Sequence, residues 1–193
     1  MVNVFVCGLA GSGKSNLIEK VSEKFGLRKV HTSGLLRQLK EKEMDKVDLG
    51  KLEKGTGFWE SEEGKEFLKI REKDFSFDKK LDEELLKIVN KSNAVFDSWT
   101  LPWLSKNGIK IWLKASLEVR AKRISLRDKL SLEIITEKIK ERQEMDVKRY
   151  FKLYGYKMGE DFKPFDLVLN TDNLNEQEVW FVVKAFLDKV IKK

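Results

Sequence analysis

The chain has 193 residues, 41% hydrophobic and 10% aromatic with only 2 Pro, which supports one domain with a full core and excludes a disordered chain. No apolar run is long enough to span a bilayer, the first one passes straight into a glycine-rich loop instead of ending a leader, and the lone Cys7 excludes an internal disulfide, so a cytoplasmic location is expected. The net charge of +7 points to an anionic partner, but bases alternate with acids in Lys40–Glu43 and Glu137–Arg142, which reads as solvated surface laced with ion pairs and disfavours nucleic acid.

Val2–Cys7 is an apolar, β-branched run that predicts a buried strand, and Asn16–Phe25 carries Leu17, Ile18, Val21 and Phe25 at helical spacing. Between them Gly8, Leu9, Ala10, Gly11, Ser12, Gly13, Lys14 and Ser15 match the P-loop pattern G-x-x-x-x-G-K-S/T without a mismatch. Glycines in that order let several backbone N–H groups turn toward one anion, and the following helix adds its positive end. Lys14 would then reach the outer phosphates and Ser15 would ligate Mg²⁺. A glycine turn that binds nothing is the alternative, and the flanking strand and helix count against it.

Leu27–His31 predicts a short second strand, after which Ser33 would cap a helix over Leu35–Glu43. From Met44 to Phe77, Gly50, Gly55, Gly57 and Gly64 punctuate charged residues around Phe58 and Trp59, predicting a movable insert with a short helix near Ser61–Lys73. A longer helix is expected from Asp78, with Leu81, Leu85, Ile88 and Val89 on one face. Ala94–Asp97 is a third strand that ends in an acid, as a buried parallel strand would when it delivers a carboxylate to a site at its end. Ile109–Leu113 is the fourth strand. Ser116 would cap a helix from Leu117 to about Asp128, and Ser131 a longer one that runs with breaks to Tyr154, where Gly155 stops it. Asp166–Asn170 is the fifth strand, and Asn175 with Glu178 forms a capping box for the last helix. Strands alternating with helices predict the α/β class: a parallel sheet with helices on both faces and the ligand at the strands' carboxyl ends.

Arginines cluster late in the chain. Arg120, Arg123 and Arg127 are spaced three and four apart, and Arg142 and Arg149 seven apart with Asp146 between them. Phosphoryl transfer asks the protein mainly for cations around the migrating group, which this array would supply; a pair of basic solvated helices is the plainer alternative. His31 is the only histidine, which excludes multi-histidine metal chemistry, and no Cys/His set exists for zinc.

On Gly8–Ser15, Thr32–Arg37, Ile111–Ala115, Glu118–Ile124, Arg142–Glu144, Arg149–Tyr150, Tyr154–Gly155 and Asp166–Thr171, the chain resembles nucleoside monophosphate kinases, specifically the short archaeal type of cytidylate kinase, over nearly its whole length. The resemblance implies a three-layer α/β/α P-loop NTPase fold with a five-stranded parallel sheet. It implies Mg²⁺-dependent transfer of the γ-phosphoryl group of ATP to CMP or dCMP. The core would be residues 1–32, 78–122 and 132–193, with a monophosphate-binding insert at about 33–77 and a lid at about 123–131. The P-loop residues and Asn16 would hold ATP, with Arg123 against the adenine and Thr171 lining its pocket. Ser33, Gly34, Arg37 and Asp146 would bind the acceptor, while Lys14, Arg127, Arg142 and Arg149 embrace the phosphates. Ser15 and Asp97 would hold Mg²⁺. The size of the chain makes a monomer the default.

One departure stands out. Where the family usually has an acid, Gly and Arg before a Trp, this chain has Asp97, Ser98 and Trp99, followed by Thr100, Leu101, Pro102 and Trp103. Asp97 could hold Mg²⁺ through water or merely cap a helix. Trp99 and Trp103 could stack on an acceptor base or simply pack. Kinase chemistry on AMP, another nucleotide or a small metabolite, and a slow nucleotide-dependent module acting on RNA, remain as other readings.

Overall fold

The computed structural model describes residues 1–32, 34–35 and 75–191. Ser33, Arg37 and nearly all of the expected insert, with its helices, lie outside the described residues. Five parallel strands form one sheet in the order β2-β3-β1-β4-β5. They are β1 (Asn3–Cys7), β2 (Arg28–His31), β3 (Ala94–Asp97), β4 (Ile109–Lys114) and β5 (Leu167–Asn170). Central β1 registers Asn3 with Ala94 on one side and Val4 with Ile109 on the other.

A central parallel strand is covered on both faces, so its side chains must be apolar or fully hydrogen-bonded; every residue of β1 is buried, and Asn3 donates to the Val89 carbonyl and accepts from Ala94 N. Val4 and Val6 face one core, with Leu17, Ile18 and Val21 of α1 (Lys14–Phe25) and Val179, Val183 and Leu187 of the last helix. Phe5 and Cys7 face the other, with Leu81, Leu85 and Val89 of α2 (Ser76–Val89) and Tyr150 and Tyr156. The alternation of β1 side chains thus creates the three layers.

Two helices carry the arginines. α4 (Leu117–Asp128) is capped by the Ser116 hydroxyl, which accepts from Val119 N, and ends at Lys129 in a left-handed conformation with φ 54°. α5 (Leu132–Tyr154) follows after a three-residue turn and ends at Gly155, φ 74°. The two pack through Ala121, Ile124, Ile135 and Ile139. The expected breaks in α5 are absent, because no Gly or Pro interrupts 132–154, and Ser131 makes no side-chain cap. The segment expected as a lid is therefore the end of α4 plus the 129–131 turn. A single-turn helix, α3 (Leu101–Leu104), follows β3 with Pro in its first turn. The last helix, α6 (Glu176–Val190), opens on the full capping box of Asn175 and Glu178. Among the described residues no helix is long and apolar enough to cross a membrane.

Candidate active site

β1 ends at Cys7 and hands the chain to the P-loop at the sheet's carboxyl edge. Gly8 and Gly11 are held there by contact as well as by conformation: a Cβ on Gly8 would stand 2.4 Å from Ser12 Oγ and 2.5 Å from the Leu113 carbonyl, and one on Gly11 would stand 2.7 Å from the Arg120 carbonyl. Gly13 (φ 96°) caps α1 without any side chain, which leaves the first amides of that helix open to an anion. The buried Ser12 hydroxyl has no hydrogen-bond partner among the described residues. Lys14 Nζ donates to the Leu9 carbonyl at 3.2 Å and stands 5.9 Å from the centroid of the Trp99 ring. Burial lowers the Lys14 pKa, Asp97 opposes that, and Arg142 and Arg120 add to it. A polyanion in the cradle would relieve this strain on the ammonium.

Beside the loop lies a cleft of about 510 Å³, lined by Gly11 to Leu17, by Arg123, Ile124, Leu126 and Arg127 of α4, and by Leu174 to Glu176 at the start of α6. Arg123 forms one wall: Nη1 donates to Thr171 Oγ1 at 3.0 Å and Nη2 to the Thr171 carbonyl at 2.6 Å. Thr171 is itself buried and bonded through N to the Lys114 carbonyl at 2.8 Å. Asn16 Nδ2 donates to Glu176 Oε2 at 2.7 Å across the cleft floor. Arg127 stands at the rim with its side chain 64% exposed, its Nε and Nη2 on the two carboxylate oxygens of Asp128 at 2.6 and 2.8 Å. It would have to leave that pairing to reach a phosphate.

On the other side of the loop, Asp97 ends β3 with its carboxylate 3.8 Å from His31 Nδ1. Burial alone would raise its pKa, but the His31 imidazole and the charges of Lys14 and Arg142 outweigh burial and hold the carboxyl below its ordinary range. Trp99 donates its indole N–H to the Gly8 carbonyl at 2.9 Å, and Arg142 Cζ stands 5.9 Å from its ring centroid. Arg142 Nε lies 3.6 Å from Asp146 Oδ2, and Arg149 Nη1 donates to Asp146 Oδ1 at 2.7 Å. Arg149 is only 3% exposed, yet among the described residues its Nε and Nη2 have no acceptor. Two buried guanidinium nitrogens without an oxygen are expensive; a ligand anion or carbonyl would satisfy them. Gly34 is buried near this edge.

The structure thus brings Lys14, Trp99, Arg142, Asp146 and Arg149 into one chain of contacts, and Arg123 with Thr171 into another. It does not bring Trp103 to them. That ring lies flat on Tyr156 at 3.8 Å, edge-on to Phe165, with its N–H toward Asp161, so it packs internally where a base-stacking role was one expectation. Arg120 also departs from the expected array: its guanidinium turns inward, beneath the P-loop. The signal was present in Ala121 and Ile124, which share its helical face and are buried with it. Cys7 Sγ–H donates to the Ser98 carbonyl at 2.7 Å, and burial pushes its thiol pKa up, which leaves it inert.

Comparison with known proteins agrees with this geometry. The chain is 33% identical over 186 residues, 96% of its length and 88% of the relative's, to the cytidylate kinase of Pyrococcus horikoshii. It is 33% identical over 194 residues, 98% of its length and 97% of the relative's, to that of Sulfurisphaera tokodaii. Among solved structures, TT1252 from Thermus thermophilus superposes with a TM-score of 0.57 at 19% identity, covering 99% of this chain and 98% of that one. Shikimate kinase from Bacteroides thetaiotaomicron superposes with a TM-score of 0.53 at 15% identity, covering 98% of each; at such identities the likeness concerns the fold alone. The cytidylate kinase-like family profile matches residues 4–173. With the phosphate cradle, the nucleotide-sized cleft and the arginine-bearing helices in place, the chain belongs to the cytidylate kinase-like family and is a nucleoside monophosphate kinase, a phosphotransferase.

Proposed function

We propose that this enzyme transfers the γ-phosphoryl group of ATP to CMP or dCMP, with Mg²⁺, giving ADP and the cytidine diphosphate. The observation that carries the reading is Arg149: a buried guanidinium with two nitrogens that find no acceptor among the described residues, joined through Asp146, Arg142 and Trp99 to the P-loop lysine. Two anion-binding centres in continuous contact suit two nucleotides meeting at one migrating phosphoryl. The cytidine assignment is supported by the names of the relatives, which are cytidylate kinases.

In this reading the P-loop amides from Gly8 to Asn16 and Lys14 hold the donor phosphates, and Arg123 and Thr171 border its adenine. Asp146 aims Arg142 and Arg149 at the phosphates and the acceptor, with Ser33, Gly34 and Arg37 on the acceptor phosphate and Trp99 beside it. Arg127 swings in from Asp128. The donor set fits Mg²⁺: Ser15 offers an exposed hydroxyl at the start of α1, and Asp97 a carboxylate kept ionised at the end of β3. When bound, the cation would neutralise charge that develops between the phosphates. The low pKa of Asp97 keeps it unprotonated, and the expected insert and the α4 end would exclude water that could otherwise take the phosphoryl group.

The test is ADP formation from MgATP with CMP, dCMP, UMP, AMP and GMP offered separately. Preference for the cytidine nucleotides is the expected result. A preference for another acceptor is the second reading, favoured by Trp99 standing where the family usually carries an arginine; no stimulation by any monophosphate overturns the nucleotide assignment.

A further inference from the structure

Arg120 is 3% exposed, and its three nitrogens reach three separate parts of the fold. Nε donates to the Ala115 carbonyl at 3.1 Å, in the link between β4 and α4. Nη1 donates to the Ala10 carbonyl of the P-loop at 3.3 Å, and Nη2 to Gln143 Oε1 on α5 at 2.7 Å. Gln143 follows Arg142 directly and lies one turn before Asp146. The P-loop also rests on the backbone of the same residue, since a Cβ on Gly11 would stand 2.7 Å from the Arg120 carbonyl. All three acceptors are neutral, and Glu118 and Asp172 act on the guanidinium through their charge alone. A buried guanidinium usually needs a carboxylate beside it, and an apolar side chain of similar length would fill the space at less expense. The planar fork, however, can hold three oxygens in fixed directions at once, which a lysine or an apolar chain cannot. Its charge is also felt at Lys14, whose pKa it helps to lower.

We propose that Arg120 is a positioning residue for phosphoryl transfer: by tying Ala10, Ala115 and Gln143 together, it sets the P-loop, Arg123 on α4 and the Arg142–Arg149 pair on α5 in one register. At 3% exposure it has little surface to offer either nucleotide. The inference rests on the kinase reading above and adds to it the joint between donor and acceptor sides. A shift of about 1 Å in such an arrangement costs about 100-fold in rate, whereas the donor cradle itself is built by the loop amides and survives loss of the joint.

Three variants of the full chain test this. Arg120→Met removes all three bonds at similar volume, Arg120→Lys keeps the charge without the fork, and Gln143→Met cuts only the branch to α5. Calorimetric affinity for MgATP, kcat, KM for each substrate and melting temperature are measured together. Arg120→Met is expected to lower kcat about 100-fold while MgATP affinity changes no more than about threefold; Arg120→Lys should recover only part of the loss. Gln143→Met should lower kcat and raise the acceptor KM with unchanged melting and MgATP affinity. Wild-type kcat and KM in folded Arg120→Met, or a loss explained wholly by the unfolded fraction, overturns the proposal; if Arg120→Met does not fold, wild-type kinetics in Gln143→Met overturns it. A parent enzyme that binds MgATP but shows no transfer overturns the kinase reading instead. Hydrogen exchange then decides the joint: MgATP should slow exchange around Gln143 in the parent and not in Arg120→Met, and equal slowing in both removes Arg120 from the role.

Discussion

Lys14 is surrounded by competing influences: burial, Arg142 and Arg120 disfavour its charge, and Asp97 supports it. Its removal should therefore leave the fold intact while abolishing transfer. Lys14→Ala is expected to keep its circular dichroism spectrum and melting temperature with no measurable turnover; full turnover would displace the chemistry from this loop. Arg127 makes a different case, since its fork is held by Asp128 at the rim. Arg127→Ala should lower kcat by about 10³-fold, the lower bound for an arginine that acts in the transition state, with little change in KM. A raised KM at normal kcat would confine it to binding. Asp97 has a pKa below the ordinary carboxylate value, about 3.9 in an unfolded chain. Its ionised form thus stabilises the fold fully above that value, and the contribution is lost as pH falls through the lower folded value. The stability difference between parent and Asp97→Asn, read from urea unfolding, should shrink as the solution is taken from about pH 5 toward pH 2; a constant difference would show that the carboxylate is not favoured by its surroundings.

The elements that could be read from the chain were those with a local cause. β1, the P-loop and α1 follow from a mostly apolar run and a glycine motif in which a Cβ on Gly8 or Gly11 would collide, and α6 from Asn175 and Glu178, whose reciprocal bonds to backbone N–H groups measure 3.0 and 2.7 Å. Asn175→Ala should cost about 1 kcal/mol and lower the melting temperature by about 2–4 °C, which calorimetry can check. What escaped was decided elsewhere in the molecule. α3 is a single turn, too short for any period to show, and the unbroken course of α5 depends on burial of Ile135, Ile139, Arg149 and Tyr150 along its length. Spacing placed Arg123 with Arg127 on one face; the apolar neighbours Ala121 and Ile124 hinted that Arg120 turns inward, and its bond to the P-loop carbonyl shows it. Among the site residues, the cradle and Asp97 were legible because motif and strand end coincide. The direction of Arg127 and the internal stacking of Trp103 were not, because each depends on a partner distant in sequence or on a rotamer.

At the scale of the whole molecule, two cores lie on opposite faces of one sheet, and the aromatic rings gather in one of them. Trp103, Tyr156 and Phe165 pack there, with Trp112 edge-on to Phe165. Trp103→Ala should destabilise the protein by about 3 kcal/mol while the folded fraction keeps its acceptor KM; a raised KM with little loss of stability would return Trp103 to the substrate. Sheet order has a further effect, on synthesis. β1 is made before its partners, which begin at Ala94 and Ile109, so no pairing for it exists until about half of these residues have been translated. At about 5–20 residues per second, the bare strand and its loop wait on the order of 5 to 20 s. During that window the phosphate cradle has no sheet edge to stand on, and the side chains of Val4 to Cys7 have no neighbouring strand to cover them.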